Sequence, residues 1–298
     1  MNKKNKLKAV CFGEVLWDLF PSYKTLGGAP LNVALRLKSF GAEVTMISSV
    51  GNDENGREIL NQLSNFRLDT STVSVSEEYP TGLVNVTLDQ FGSASYEIAY
   101  PSAWDKIVLT KEANHFVSNA DVLIFGSLAC RDLVSRQVLM GLLNNKVYKV
   151  FDVNLRKPHY SYSVLEQLMN AAHFIKFNDE ELLEIAYQLH SPYKDVKDNI
   201  NYISEKTATQ AICVTRGKHG AYLLWEGRIY ENEGYSVEVS DTVGAGDSFL
   251  ATLLFLLLTS EMPQKAIDYS CAVGALVAAA PGANPEISFL DIEHLIQS

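Results

Sequence analysis

Disulfide staples are the first thing this sequence lacks. Its four cysteines, Cys11, Cys130, Cys213 and Cys271, form no Cys-x-x-Cys pair, and three of them sit inside apolar runs. They read as buried thiols of a reducing compartment. Neither they nor the six histidines are spaced like zinc ligands, which excludes a metal cage built by the protein alone. No apolar run spans a membrane: the longest, Phe249 to Leu258, is about half the required length. The apolar stretch behind the N-terminal tail is broken by Glu14, so no secretory signal is read there and a cytoplasmic protein is expected. Positive charge is also scarce. Thirty-five acidic against 25 basic residues leave a net −10, the wrong sign for a nucleic-acid binder. The one basic cluster, Lys3, Lys4, Lys6 and Lys8, reads as a solvated tail. There is no internal repeat, no low-complexity linker and no GxSxG elbow of a serine hydrolase.

What is present is ordinary globular material. With 298 residues, 47% hydrophobic and 20% charged, the chain can bury roughly 75% of its unfolded surface without staples. Short β-branched runs alternate with longer helical stretches, the pattern of a parallel sheet covered on both faces. Strands are expected at Ala9–Val15, Val44–Val50, Val122–Phe125, Val147–Val153, Phe174–Phe177, Ala211–Thr215 and Tyr235–Val239. Helices are expected at Leu31–Phe40, Asp179–Leu189, Asp247–Leu258 and Pro263–Ala280. Thr81 to Tyr100 alternates differently, turning through Asp89-Gln-Phe-Gly-Ser93, and reads as a β-hairpin. Such an insertion must cover or pair with something, because its edges are otherwise open. It is a lid over a pocket, with a homodimer contact as a further use, or a surface excursion. The fold expected is a single α/β domain over residues 1–298, with lid elements at 16–26 and 80–102.

The segment with the most chemistry is Asp241-Thr-Val-Gly-Ala-Gly-Asp247, placed between a strand and a long apolar helix. Gly244, Ala245 and Gly246 let a ligand approach the backbone, and helix-start amides without internal partners favour phosphate. Asp247 is then either a helix-start acid that suits the dipole or a general base for a hydroxyl. Gly27-Gly-Ala-Pro-Leu-Asn32 also joins a glycine turn to a helix. It has neither GxGxxG nor GxxxxGK[ST] spacing, so neither a dinucleotide fold nor a P-loop is supported. Asn32 is a cap or a ligand-facing amide. Asp18, expected just past the first strand, would lie on the ligand side of an open α/β sheet. Asn178 and Glu181 fit a capping box, or a carboxylate that holds magnesium through water. Thr215-Arg-Gly-Lys-His-Gly220 suits a nucleotide edge as well as any other polar turn.

Taken together and in this order, these pieces resemble the ribokinase-like (PfkB) carbohydrate kinases. Gly27 to Gly56 resembles the family's first signature and Asp241 to Leu254 its second, and the likeness runs from Gly13 to Pro285. Within the family it is nearest to bacterial fructokinases, through Gly27-Gly-Ala-Pro-Leu-Asn-Val-Ala, Ala103-Trp-Asp105 and Phe151-Asp-Val-Asn-Leu-Arg156. The resemblance implies a three-layer αβα sandwich with a mostly parallel sheet and a small hairpin lid. It implies Asp247 as catalytic base, with Gly244, Ala245 and Gly246 as anion hole. Asp18, Gly28 and Asn32 would bind sugar hydroxyls, with Arg156 near sugar or phosphate. Asn178 and Glu181 would organise magnesium and the ATP phosphates. Thr215, Arg216, Gly217 and Gly220 would line the nucleotide, with Gly282 and Ala283 closing its other side. A potassium-type cation is implied at a loop matching Asp241, Val243, Ala280 and Gly282, although Glu286 departs from the small polar residue common in relatives. D-Fructose phosphorylated at its terminal hydroxyl is the expected substrate. Ala29, where ribose-type relatives often carry lysine, disfavours ribose, and Lys24 is the one nearby cation that would suit an already phosphorylated acceptor. The rivals are a kinase of the same fold acting on ribose, 2-keto-3-deoxygluconate or a nucleoside, a non-catalytic sugar sensor, and a nicotinamide dehydrogenase.

Overall fold

The computed structural model describes residues 6–88 and 94–297. The turn expected at Asp89–Ser93 and the tail lysines Lys3 and Lys4 lie outside the described residues. Nine strands form the main sheet: β1 (Lys8–Phe12), β4 (Glu43–Gly51), β5 (Val73–Ser76), β8 (Val122–Gly126), β9 (Tyr148–Asp152), β10 (Phe174–Asn178), β11 (Ala211–Thr215), β12 (Ala221–Trp225) and β13 (Arg228–Asn232). Their order is β13-β12-β11-β10-β9-β8-β1-β4-β5. All neighbours pair in parallel except β11–β12 and β12–β13.

Alternation along β1 shows why the sheet is covered twice. Ala9 and Cys11 face one core and Val10 and Phe12 the other. The first core takes α1 (Ala29–Ser39), α2 (Glu54–Asn65), α8 (Ala245–Leu258) and α9 (Pro263–Ala278). The second takes α3 (Lys111–Ser118), α4 (Leu133–Leu142), α5 (Tyr162–Ala171), α6 (Asp179–Gln188) and α7 (Val196–Thr207). A last helix, α10 (Phe289–Gln297), packs on α9 through Ile292. This is the expected three-layer sandwich. All four cysteines are buried and unpaired, as expected. No helix among the described residues is long and apolar enough to cross a membrane.

The lid is larger than one hairpin. Its strands, β2 (Leu16–Leu19), β3 (Lys24–Gly27), β6 (Gly82–Leu88) and β7 (Ala94–Ile98), form a separate sheet in the order β3-β2-β6-β7. The two hairpins join through a parallel β2–β6 pairing that places Trp17 opposite Leu83.

Most expected elements shift by a residue or two, among them α8, which starts at Ala245 rather than Asp247, and α9, which ends at Ala278 rather than Ala280; three differences bear on the site. The first strand ends at Phe12 rather than Val15 because Gly13 has φ +145°, and the chain bends there into the lid. Tyr235–Val239 is not a strand, since β13 already forms the sheet's edge and the segment runs on unpaired toward α8. Helix α1 starts at Ala29, with Pro30 in its first turn, so Asn32 lies inside the helix and does not cap it.

Candidate active site

The parallel strands all end on one side, and that side carries the polar residues. Glu14 follows β1, Ser127 follows β8, Asn154 follows β9, Asn178 closes β10 and Thr215 closes β11. This is the usual ligand edge of an open α/β sheet. A cavity of about 490 Å³ lies there. The lid supplies Leu16, Asp18, Phe20, Val84 and Ile98 to one wall, and Lys176, Gly244, Gly246 and Asp247 come from the body. A second cavity of about 620 Å³ adjoins it, sharing Asn178, Thr215, Thr242 and Gly246. Its walls are more apolar and include Tyr235, Phe249 and Gly274, with Gly217 and Gly220 at its rim.

The start of α8 is built for an anion. Gly244 is the N-cap at φ +74°, and a Cβ there would sit 2.6 Å from both the carbonyl oxygen and the Cβ of Ala283. Only glycine fits, on conformation and on space. Among the described residues nothing accepts from the amides of Gly244, Gly246 or Asp247. The Ala245 amide, expected in the same hole, turns instead to the Thr242 carbonyl at 3.3 Å. Lys176 Nζ approaches Gly246 from the sheet; a Cβ on that glycine would stand 3.7 Å from it.

Asp247 is half-buried in the first turn of α8, and its Oδ2 accepts a 2.8 Å hydrogen bond from Asn32 Nδ2. Asn284 Nδ2 in turn donates to Asn32 Oδ1 at 2.8 Å. Burial, then the charge of Asp152, pushes the Asp247 carboxyl up to about 6, against the pull of Asn32, Lys176 and Arg156. Asp18 stands across the cavity and also rises to about 6, through burial and the charges of Asp247 and Asp241, with Arg156 opposing. Asp18 is not past a strand end as expected; it lies within β2, on the lid.

Beneath the site, Lys176 and Asp152 form a buried ion pair at 2.8 Å. Burial opposes the lysine's charge, but Asp152 and Glu181 outweigh it and raise its pKa. Glu181 completes the capping box with Asn178: its Oε2 accepts from Asn178 N at 2.9 Å and its Oε1 from Leu155 N at 2.8 Å. It still lines the first cavity, where its outer lone pairs suit a hydrated cation. No group of three or more acidic, histidine or cysteine side chains among the described residues could hold a metal directly.

Of the expected residues, the cavities bring together Asp18, Gly28, Asn32, Arg156, Asn178, Glu181, Thr215, Gly217, Gly220, Val243, Gly244, Ala245, Gly246 and Asp247. Arg216 lines neither; its guanidinium stacks 3.9 Å from the Tyr222 ring. Asp241, Ala280, Gly282 and Ala283 also stay off both walls, though Ala283 abuts Gly244. Sequence reasoning missed Glu14, Lys176 and Asn284. A lysine inside the apolar run Phe174-Ile-Lys-Phe was a usable signal. Glu14 was read only as a break in an apolar stretch. It is 3% exposed, lines the cavity and has an unpartnered Oε2, and burial lifts its carboxyl to about 7.

A profile of the pfkB carbohydrate kinase family matches residues 10–288. The chain belongs to that family. The chain is 29% identical to the sugar kinase PH1459 of Pyrococcus horikoshii over 241 residues, 78% of this chain and 73% of that one. The crystal structure of that protein, described as an uncharacterized sugar kinase, superposes with a TM-score of 0.81 over 97% of this chain and 99% of the other. A fructokinase of Salmonella typhimurium is 26% identical, covering 93% and 94% of the two chains. A 2-dehydro-3-deoxygluconokinase of Thermoproteus tenax is 25% identical, covering 92% and 86%. This PfkB protein is therefore a carbohydrate kinase with the ribokinase-like fold.

Proposed function

We propose that this kinase transfers the γ-phosphoryl group of ATP to a primary hydroxyl of a small sugar, with D-fructose to fructose 6-phosphate as first choice. One observation carries the reading: Asp247 and the unpartnered amides of its own helix start open into the same cavity, opposite the lid carboxylate Asp18. The adjoining apolar cavity takes the nucleoside of ATP, with its phosphates directed at the start of α8. Asp247 removes the hydroxyl proton as the sugar oxygen attacks the γ-phosphorus. The bond from the γ-phosphorus to the β,γ-bridging oxygen breaks, and its electron pair leaves with ADP. The amides of Gly244, Gly246 and Asp247, with Lys176, face the charge that develops on the phosphoryl oxygens.

The donor set suits magnesium bound through water by Glu181 beside Asn178. Bound there, the ion would neutralise phosphate charge in a site already holding Glu14, Asp18 and Asp247. A monovalent cation fits the carbonyls of Asp241, Val243, Ala280 and Gly282, none of which accepts a hydrogen bond within the described residues. The amides of Ser240 and Asp241 both donate to Ala278 O, which holds the two loops together.

An unphosphorylated acceptor is supported by Lys24. It pairs with Glu58 at 2.5 Å and Asn55 at 3.1 Å and does not line the cavity. The likeness to the Salmonella fructokinase favours fructose. A second reading is 2-keto-3-deoxygluconate, because the exposed Arg156 on the cavity wall could meet its carboxylate. A reducing cytoplasm suits the four free thiols, and the open edge of β7 suits a lid-to-lid homodimer. The deciding experiment incubates the protein with magnesium-ATP and fructose, ribose, glucose, 2-keto-3-deoxygluconate and nucleosides, then identifies the phosphorylated product. Fructose 6-phosphate is expected. Turnover of none of them would overturn this choice of acceptor, and sugar binding without any ATP consumption would favour a sugar sensor.

A further inference from the structure

The proposed reaction leaves one buried carboxyl of the site without a role. Glu14 stands just past the end of β1, where Gly13 bends the chain from the sheet toward the lid. It is 3% exposed and lines the sugar cavity with Asp18 and Asp247. Its Oε2 is buried and has no hydrogen-bond partner.

The other buried acids of the described residues are all held. Asp105 binds Arg131 at 2.7 Å, Asp132 binds Lys106 at 2.6 Å and Asp152 binds Lys176 at 2.8 Å. Glu181 accepts from the amides of Asn178 and Leu155. Glu14 has no such bond. Burial lifts its carboxyl to about 7, and its own amide, Arg156 and the Ala29 amide at the start of α1 offset this only in part, while Asp247 adds to it. These neighbours orient the carboxyl and leave Oε2 open. A buried oxygen without a donor costs stability, and more when the group is ionised. The fold gains nothing from Oε2, whereas a polyol in the cavity would supply the missing donor.

The group is also rigidly mounted. Strand β1 is buried from Ala9 to Phe12. On the other side the glycine turn of α1 closes on Glu14: a Cβ at Gly28 would lie 2.3 Å from the Glu14 carbonyl oxygen. Asp18, four residues on, belongs to the lid strand β2. The cavity therefore has one carboxyl on the body, one on the lid, and Asp247 at the helix start.

We propose that Glu14 is an acceptor-binding residue: its Oε2 accepts a hydrogen bond from a sugar hydroxyl other than the one that is phosphorylated, and so fixes the acceptor on the body side while Asp18 holds it from the lid. This rests on the reading of the cavity as the acceptor site.

The test is calorimetric titration of the whole protein, without ATP, with fructose and its 1-deoxy, 3-deoxy and 4-deoxy analogues. Glu14→Ala should weaken fructose binding by about tenfold or more. Glu14→Gln keeps the shape and an oxygen for the amides. It should weaken binding less, and should melt at or above the wild-type temperature because a buried carboxyl is gone. Wild type and Glu14→Ala should bind one deoxy analogue alike, the one that lacks the hydroxyl held by Glu14, since the pair is then already broken. Affinity for a non-hydrolysable ATP analogue should be the same in all three proteins. Fructose binding by Glu14→Ala equal to that of wild type would overturn the proposal. So would an equal loss of affinity for every analogue, which is the mark of a deformed cavity. A wild type that binds another sugar of the panel and not fructose would overturn only the choice of fructose, and the same cycle with that sugar and its deoxy forms then decides on Glu14. Binding of no sugar at all would overturn both readings.

Discussion

At the scale of single residues, the proposed reaction turns on a carboxyl held between two states. Burial and Asp152 raise Asp247 to about 6, so it is largely ionised at neutral pH yet still basic enough to take a proton. The rate kcat/KM is therefore expected to be flat above about pH 6 and to fall roughly tenfold per pH unit below it, because protonation removes the base. Asp247→Asn should lower kcat by about 10²–10⁴ and leave sugar binding, read by calorimetry, nearly intact; near-normal turnover would take Asp247 out of that role. The chain Asn284–Asn32–Asp247 makes Asn284 a positioning residue. Asn284→Ala should leave the KM for ATP unchanged, lower kcat and move the acid limb upward, because Asn32 would no longer be fixed as donor to the ionised carboxyl. Loss of stability with an unmoved limb would mean a merely structural role. Asp247 was legible in the sequence because two glycines beside a helix start have few other uses. Asn32 was legible as a polar residue near a ligand, but not as a tether of the base, since that contact spans 215 positions. Glu14 and Asn284 look like a strand end and a turn residue until the fold brings Glu14 to the cavity wall and Asn284 against Asn32.

At the scale of elements, alternating patterns foretold the parallel sheet and its two helical layers, because burial on both faces leaves continuous apolar strands. They did not show where those strands stop. Gly13 and the start of α1 at Ala29 are set by close packing between distant segments: a Cβ on Gly13 would lie 2.7 Å from Pro30 Cγ. The junction of α2 with the lid shows the same long-range control. Asp53 caps α2 by accepting from Gly56 N at 2.8 Å, and it also accepts from the Thr81 amide at 2.8 Å and hydroxyl at 2.7 Å, just before β6. Burial pushes its carboxyl up, but the Thr81 and Gly56 bonds outweigh that and hold it below its ordinary value. A carboxyl whose folded pKa lies below its unfolded value of ~3.9 contributes fully above that pH and loses its contribution as pH falls through the folded pKa. Asp53→Ala should cost about 1–2 kcal/mol at pH 7 in urea unfolding and less in strong acid. Asp53→Asn, which can still cap, should cost less and lose the acid dependence. An Asp53→Ala cost that is the same at pH 7 and in strong acid would show that the ionised carboxylate contributes nothing.

At the scale of the molecule, the sugar cavity exists only where two sheets meet. The body supplies Asp247, Lys176 and the helix start, and the lid supplies Asp18, Phe20, Val84 and Ile98. The lid sheet has a small apolar cluster of its own, Leu16, Val84 and Val86 with Phe20 and Ile98 against it. Its other face joins the main core through Trp17, with Leu19, Leu26 and Leu83 packed there; β2 is nonetheless only half-buried at Asp18 and Leu19 and its amides open more readily than those of β1 and β8, which are buried along almost their whole length. In the proposed reaction, sugar bound against Asp18 and Phe20 would join the two sheets and exclude water that would otherwise accept the phosphoryl group. Hydrogen exchange should therefore slow at β2 and β6 when sugar and a non-hydrolysable ATP analogue bind together, more than with either alone, while β1 and β8 remain unchanged. Identical exchange in the free and doubly bound protein would mean a lid already fixed in place. Water exclusion would then rest on the static walls, and unproductive ATP hydrolysis should not depend on whether sugar is present.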